Sequence, residues 1–245
     1  MIGKGEMIGK EEKSIVLGSR LETCAGFVRK GGIVADIGTD HAYLPISLVI
    51  RGIAAMAYAS DINEEPKKSA QRNISLYGLN EKIIAFTADG LEKIPSDKVD
   101  DIIVAGMGGD NIASIIDRAK WLKNDRYRLI LQPMSRASRL REYLFKNGFC
   151  IIAEKAVREA NRIYTVIYAK YSEIDIEYDD YDIYAGRLEG SDPYAAALLK
   201  KQAGILLSAA EGCVAKGDIS GSEYYKKLAQ RLLINSDGGN SNDQR

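Results

Sequence analysis

The sequence predicts an α/β fold: a seven-stranded, mostly parallel sheet with helices on both faces, followed by a helical hairpin. Three observations predict it. Five short apolar runs between residues 33 and 132 are interleaved with helical segments, and such alternation builds a parallel sheet covered on both sides. Two β-rich runs, 149–157 and 163–171, then follow with only a polar turn between them, so one strand must run antiparallel to the others. Beyond an acidic stretch, Leu199, Leu206 and Cys213 recur seven apart, and Tyr225, Leu228 and Leu232 share a second helical face.

Taken in order, residues 1–14 are rich in glycine and charge, carry no hydrophobic leader and read as disordered. Leu17, Leu21, Cys24, Ala25 and Val28 then recur at helical spacing, closed by Gly31-Gly32. The first strand is 33–36 and its crossover helix 42–51. A second strand, 54–60, leads to a helix over 64–77 with Pro66 in its first turn, where proline is tolerated. The third strand is 83–87, the fourth 101–105, and the fourth is followed by Gly106-Met107-Gly108-Gly109 and a helix over 111–120. The fifth strand, 128–132, precedes a helix over 135–147. Five strands in βα units and two in a terminal hairpin are the pattern of a Rossmann-like methyltransferase rather than a dehydrogenase. The domains read as 15–171 for the cofactor-binding unit, 172–193 for an acidic linker and 194–234 for a coiled-coil-like helical hairpin, with 235–245 polar and disordered.

Composition narrows the function. The chain has 245 residues, of which 46% are hydrophobic, and lacks an apolar run of the ~18 residues that span a membrane. Three scattered cysteines and one histidine form no metal-ligand spacing, so a cytoplasmic protein without a structural metal is expected. Net charge is zero, yet residues 118–170 hold thirteen Lys or Arg against four acids. Residues 171–193 reverse this, with eight acids against Arg187. A basic region of that kind is the footprint of a polyanion binder; solvated helix faces are the plainer alternative.

The chemistry gathers at strand ends, where ligands of an open α/β sheet sit. The first strand ends at Asp36, turns at Gly38 and passes through Asp40 and His41. This is not the dinucleotide fingerprint, which needs two further glycines. Acid, glycine and acid suit a ligand with a ribose and an ammonium group, such as S-adenosylmethionine. Asp61, after the second strand, is placed to accept from both ribose hydroxyls. Asp89, after the third, is placed to accept from the adenine amine. Each acid alone reads equally as a helix cap. Gly38 permits close backbone approach, and the Gly106–Gly109 turn offers backbone groups without bulk where a planar acceptor would lie. Gln132, beyond the fifth strand, offers an amide to a base, or simply ends a strand before a proline.

Together these residues resemble the TrmK family of bacterial tRNA methyltransferases, which modify N1 of adenosine 22. The matching pieces are residues 17–21, the Ala35-Asp36-Ile37-Gly38-Thr39-Asp40-His41-Ala42-Tyr43-Leu44-Pro45 string, Asp89-Gly90-Leu91, Ala105-Gly106-Met107-Gly108-Gly109 and 129–133. Met134 departs from relatives that carry asparagine there. The resemblance implies a Rossmann-like class I methyltransferase whose S-adenosylmethionine is held by Asp36, Gly38, Asp61, Asp89 and Gly90, with Gly106 and Met107 counted beside them. It implies that Asp40 is the carboxylate important for methyl transfer. Arg20, His41, Gly108, Gln132, Arg136, Arg139 and Arg141 are the expected tRNA contacts, the last three through phosphates. The sequence leaves the oligomeric state open, a monomer included. A small-molecule methyltransferase and a non-catalytic RNA-binding module are the competing readings.

Overall fold

The computed structural model describes residues 15–174 and 177–238. The expected disorder of 1–14 and of 239–245 lies outside the described residues. The sheet has seven strands: β1 (Gly32–Ile37), β2 (Ala54–Asp61), β3 (Ile83–Thr87), β4 (Asp101–Gly108), β5 (Arg128–Ser135), β6 (Phe149–Glu159) and β7 (Arg162–Tyr171). Their order is β3-β2-β1-β4-β5-β7-β6, with β7 antiparallel to both its neighbours and the rest parallel. The order reverses between β1 and β4, which makes the carboxyl ends of those two strands the switch point where a ligand crevice opens.

Period-two alternation assigns each strand residue to a face. Ile102, Val104, Leu129 and Leu131 pack in one buried cluster, while Ile103 and Ile130 pack in the other. The first cluster is capped by α4 (Gly109–Arg118) and α5 (Ala137–Lys146); the second by α1 (Ser19–Ala25), α2 (Tyr43–Ile50) and α3 (Glu64–Leu76). Both faces are covered, so the central strands are apolar on both sides, as their unbroken hydrophobic runs require.

The β6–β7 turn is tight. Glu159 pairs with Arg162, and Ala160 sits at φ 51. Because β7 runs antiparallel to β5, this tip lies at the edge where β1, β4 and β5 end. Glu159 there accepts from Arg20 Nε (2.7 Å) and from the Arg20 backbone N–H (3.0 Å), tying α1 to the hairpin.

The C-terminal region corrects two boundaries. Residues 172–193 were expected as an acidic linker, yet they contain α6 (Asp180–Ala185), opened by a capping box between Asp179 and Asp182. Tyr181, Ala185 and Leu188 are buried in a third cluster with Leu199, Leu206, Leu228 and Leu232. Two acids of this stretch, Asp179 and Asp182, thus cap a helix. The hairpin itself is α7 (Pro193–Ala215) and α8 (Ile219–Ser236). Asp192 and Asp218 cap the two helices, and Ala195, Leu199, Ala203, Leu206 and Ala210 form the buried stripe of α7. Disorder was expected from 235 onward, but α8 continues through Ser236. The Asn235 amide donates to the Tyr181 hydroxyl (2.7 Å) and the Leu188 carbonyl (3.2 Å), so this polar residue is a structural tie.

Candidate active site

Four strand ends, those of β1, β2, β3 and β4, and one helix, α4, build a cleft of about 380 Å³ at the switch point. Gly38 follows β1 at φ 79, and its N–H and that of Thr39 both reach the Ser60 carbonyl, at 2.7 and 3.0 Å. A Cβ on Gly38 would run into Met107 Cε. The glycine therefore admits the Met107 side chain as well as any ligand, a role that the motif alone does not reveal. Asp61 ends β2, and its Oδ1 accepts the Asn63 N–H (2.8 Å) at the start of α3. Asp89 and Gly90 follow β3, with Gly90 at φ 60 and its carbonyl accepting from Ser60 Oγ (3.1 Å).

The cleft thus brings together five expected cofactor residues: Gly38, Asp61, Asp89, Gly90 and Met107. Asp36 and Gly106 stand outside its lining. Gly106 sits at φ 82 in a bulge of β4, and its N–H donates to Gln132 Oε1 (3.2 Å). Asp36 is buried behind the turn, where loss of water pushes its carboxyl up to about 6 despite a hydrogen bond from Thr39.

This has a pH consequence. The folded pKa lies above the unfolded one, so the folded state binds the extra proton and Asp36 costs stability as pH rises from about 4 to about 6. The rise to about 6 corresponds to about 3 kcal/mol, fully lost above that window. Asp36→Asn is expected to melt several degrees above the parent near pH ~7.5 and to lose that advantage near pH ~4. Thermal melts at the two pH values check this; a variant less stable at both would contradict it.

Sequence reasoning missed Ile62, Asn111, Ser114, Ile115 and Arg118, which also line the cleft. Ile62 is an exposed apolar residue directly after a strand-end acid. Asn111, Ile115 and Arg118 repeat at i, i+4 and i+7, one face of α4, which was a readable signal. Ile62 and Ile115 give a planar base apolar walls, Asp61 gives a diol its paired acceptors, and the positive-φ glycines keep side chains out of the way. The residues present therefore fit S-adenosylmethionine.

Two residues beyond Gly38, Asp40 stands 70% exposed, with Oδ2 3.1 Å from His41 Nε2. The His41 ring stacks on Tyr43 at 5.2 Å, and its carbonyl accepts from Asn73. Ala42, at φ 56, makes the sharp entry into α2 that leaves Asp40, His41 and Tyr43 exposed.

Several expected tRNA contacts are corrected. Gln132 is fully buried; its Oε1 accepts from Arg20 Nη1 (2.5 Å) and Gly106 N, and its Nε2 donates to the Pro133 carbonyl. It braces the edge and is not free to read a base. Arg20 is spent on Glu159 and Gln132 in the same network. Gly108 pairs with Ser135 at the end of β4, beside the cleft, and nothing in its position bears against a substrate contact. Arg141 is not a surface cation at all: it is 4% exposed and ion-paired to fully buried Glu154. Arg136 and Arg139 are exposed by about seventy per cent, each beside one acid, Asp110 and Glu142. The basic stretch also divides between two edges of the sheet, since Arg126 and Arg128 lie at the opposite end of β5.

Among the described residues no group of His, Cys, Asp and Glu forms a metal-holding cluster, and no helix is long and apolar enough to cross a membrane. Strand order, switch-point cleft and strand-end acids define a Rossmann-like, S-adenosylmethionine-dependent methyltransferase. A methyltransferase domain family matches residues 17–167. The tRNA (adenine(22)-N(1))-methyltransferase of Bacillus subtilis is 40% identical over 174 residues, covering 71% of this chain and 73% of that one. The chain belongs to this family, the TrmK tRNA methyltransferases. The crystal structure of the B. subtilis M1A22 tRNA methyltransferase TrmK superposes with a TM-score of 0.80 at 29% identity, covering 90% of this chain and all of that one. Streptococcus pneumoniae Sp1610, crystallised in complex with S-adenosyl-L-methionine, matches at 34% identity and a TM-score of 0.75 over 87% of this chain and 98% of that one.

Proposed function

We infer that this chain transfers the methyl group of S-adenosylmethionine to N1 of adenosine 22 in tRNA, working in the cytoplasm. The observation that carries the reading is the cleft between Asp61 and Asp89, with the exposed Asp40 carboxylate two residues beyond its Gly38 wall. Gly38, Asp61, Asp89, Gly90 and Met107 hold the cofactor. Bound there, it supplies an electrophilic methyl on a sulfonium centre.

The N1 lone pair of adenine lies in the ring plane, so no base is needed to free it. Asp40 orients the target by accepting from its amine and offsets the positive charge that develops on the ring, the counterpart of an oxyanion hole. His41 stands beside it, with Nε2 3.1 Å from the carboxylate, and Tyr43 extends a surface on which an extruded base can stack. Positioning supplies the rest of the rate.

Arg136 and Arg139 are the phosphate contacts proposed at this edge. Arg136→Glu with Arg139→Glu is expected to weaken tRNA binding at least about tenfold and to flatten its salt dependence by about one to two in log–log slope. Filter binding over a salt series checks this, with S-adenosylhomocysteine affinity unchanged; an unaltered slope would remove both arginines from the interface. The function itself is tested with methyl-labelled S-adenosylmethionine, transcripts bearing adenosine or guanosine at position 22, and a metabolite extract. Label is expected in the adenosine-22 transcript alone, recovered as 1-methyladenosine. Label in the extract instead would establish a small-molecule methyltransferase.

A further inference from the structure

We propose that Arg118 is a positioning residue for recognition of the cofactor's base: it fixes Asp89 so that the remaining lone pairs of that carboxylate accept the adenine amine. The proposal rests on the cofactor reading of the cleft. Arg118 is the last residue of α4, the helix that also brings Asn111 and Ile115 to the cleft wall. Its Nη1 and Nη2 donate to Asp89 Oδ2 and Oδ1 at 2.7 and 2.8 Å, a two-point fork on both oxygens. A planar fork of this kind sets the plane of its carboxylate as a point charge does not.

The turn that carries Asp89 is also held from two sides. Ser60 Oγ donates to the Gly90 carbonyl, and a Cβ on Gly90 would lie 3.1 Å from Ile115 Cγ2 and 3.5 Å from Arg118 Nη2. The ion pair forms the partition between the cleft and a neighbouring cavity of about 260 Å³ that reaches Trp121. Both partners are nearly half exposed, 48% and 40%, and exposed pairs add little to folding stability. Whatever the fork adds to folding, Arg118 and Asp89 both line the cleft, where the fork holds the carboxylate ready for a ligand.

An ionised carboxylate has about four acceptor positions. The guanidinium takes one on each oxygen, leaving one on each for a ligand. Adenine presents an N–H there. Hypoxanthine presents a carbonyl oxygen, which a pinned carboxylate rejects; a freely rotating or fully hydrated Asp89 discriminates less.

The test is calorimetry of S-adenosylhomocysteine and S-inosylhomocysteine with the parent, Arg118→Ala and Arg118→Lys, each checked for folding by circular dichroism. The parent is expected to favour the adenosyl ligand by about 100-fold. Arg118→Ala is expected to lose about tenfold for the adenosyl ligand and little for the inosyl one, so the ratio drops about tenfold. Arg118→Lys keeps the charge without the fork and is expected to fall between. Equal losses for both ligands, or an unchanged ratio in both variants, would overturn the role of Arg118. A parent that binds neither ligand would instead sink the cofactor reading from which this role follows.

Discussion

Asp40→Ala is expected to slow methyl transfer at least about 100-fold, the usual loss on removing one group that stabilises transition-state charge. Affinity for S-adenosylhomocysteine should stay within about twofold, because Asp40 stands outside the cofactor cleft. The separation of the two effects is the point. Asp40 is 70% exposed and follows the last buried residue of the turn, Thr39, so removing its carboxylate leaves the packing untouched. Asp40→Asn keeps an acceptor for the base's amine but no charge, and should fall between parent and alanine. Single-turnover rates on a position-22 adenosine transcript measure this directly. A near-normal rate in Asp40→Ala would take the carboxylate out of the chemistry.

The second large effect lies away from the chemistry. Arg141→Ala is expected to destabilise the protein by about 3–5 kcal/mol, because it strands a buried carboxylate. Arg141 Nη2 lies 2.5 Å from Glu154 Oε1, and its Nη1 donates to the carbonyls of Ile183 and Tyr184 at 3.2 Å. Glu154 also accepts from Thr165 Oγ1 and from the Arg187 N–H (3.1 Å). One ion pair thus joins α5, β6, β7 and α6, and Gly186, at φ 65, lets the chain pass over it where a Cβ would strike both partners. For a chain of this length the loss amounts to a drop in Tm of about 10 °C. Arg141→Met combined with Glu154→Leu should recover most of it, since an apolar pair leaves nothing unpaired. Thermal melts of the single and double variants decide the matter. A single variant that melts with the parent, yet binds tRNA with a flatter salt dependence, would restore Arg141 to the nucleic-acid surface.

The same residue shows where sequence reading stopped. Spacing located every strand, because burial on both faces demands unbroken apolar runs, and the 149–171 hairpin followed from the missing helix. Strand ends were less legible. Gly106 reads as a breaker, yet β4 runs on to Gly108 through a bulge and β5 to Ser135 beside it. The strand-end acids stood out because topology alone places them together. The cations did not. Arg141 and Arg139 are two residues apart in one basic helix, and only the position of Glu154 on the facing strand buries one and leaves the other in water. Charge counted along a chain does not reveal such a partner. Nor did it reveal that Asp89 shares the cleft with Arg118, 29 residues away.

Methyl transfer at this site requires the strand-end residues to hold a sulfonium nucleoside. Calorimetric titration of S-adenosylhomocysteine into the parent and into Asp61→Ala tests that most directly. One site per chain is predicted, weakened about 100-fold when Asp61 no longer meets the ribose. Absence of binding to the parent, or equal affinity in the two proteins, would contradict it.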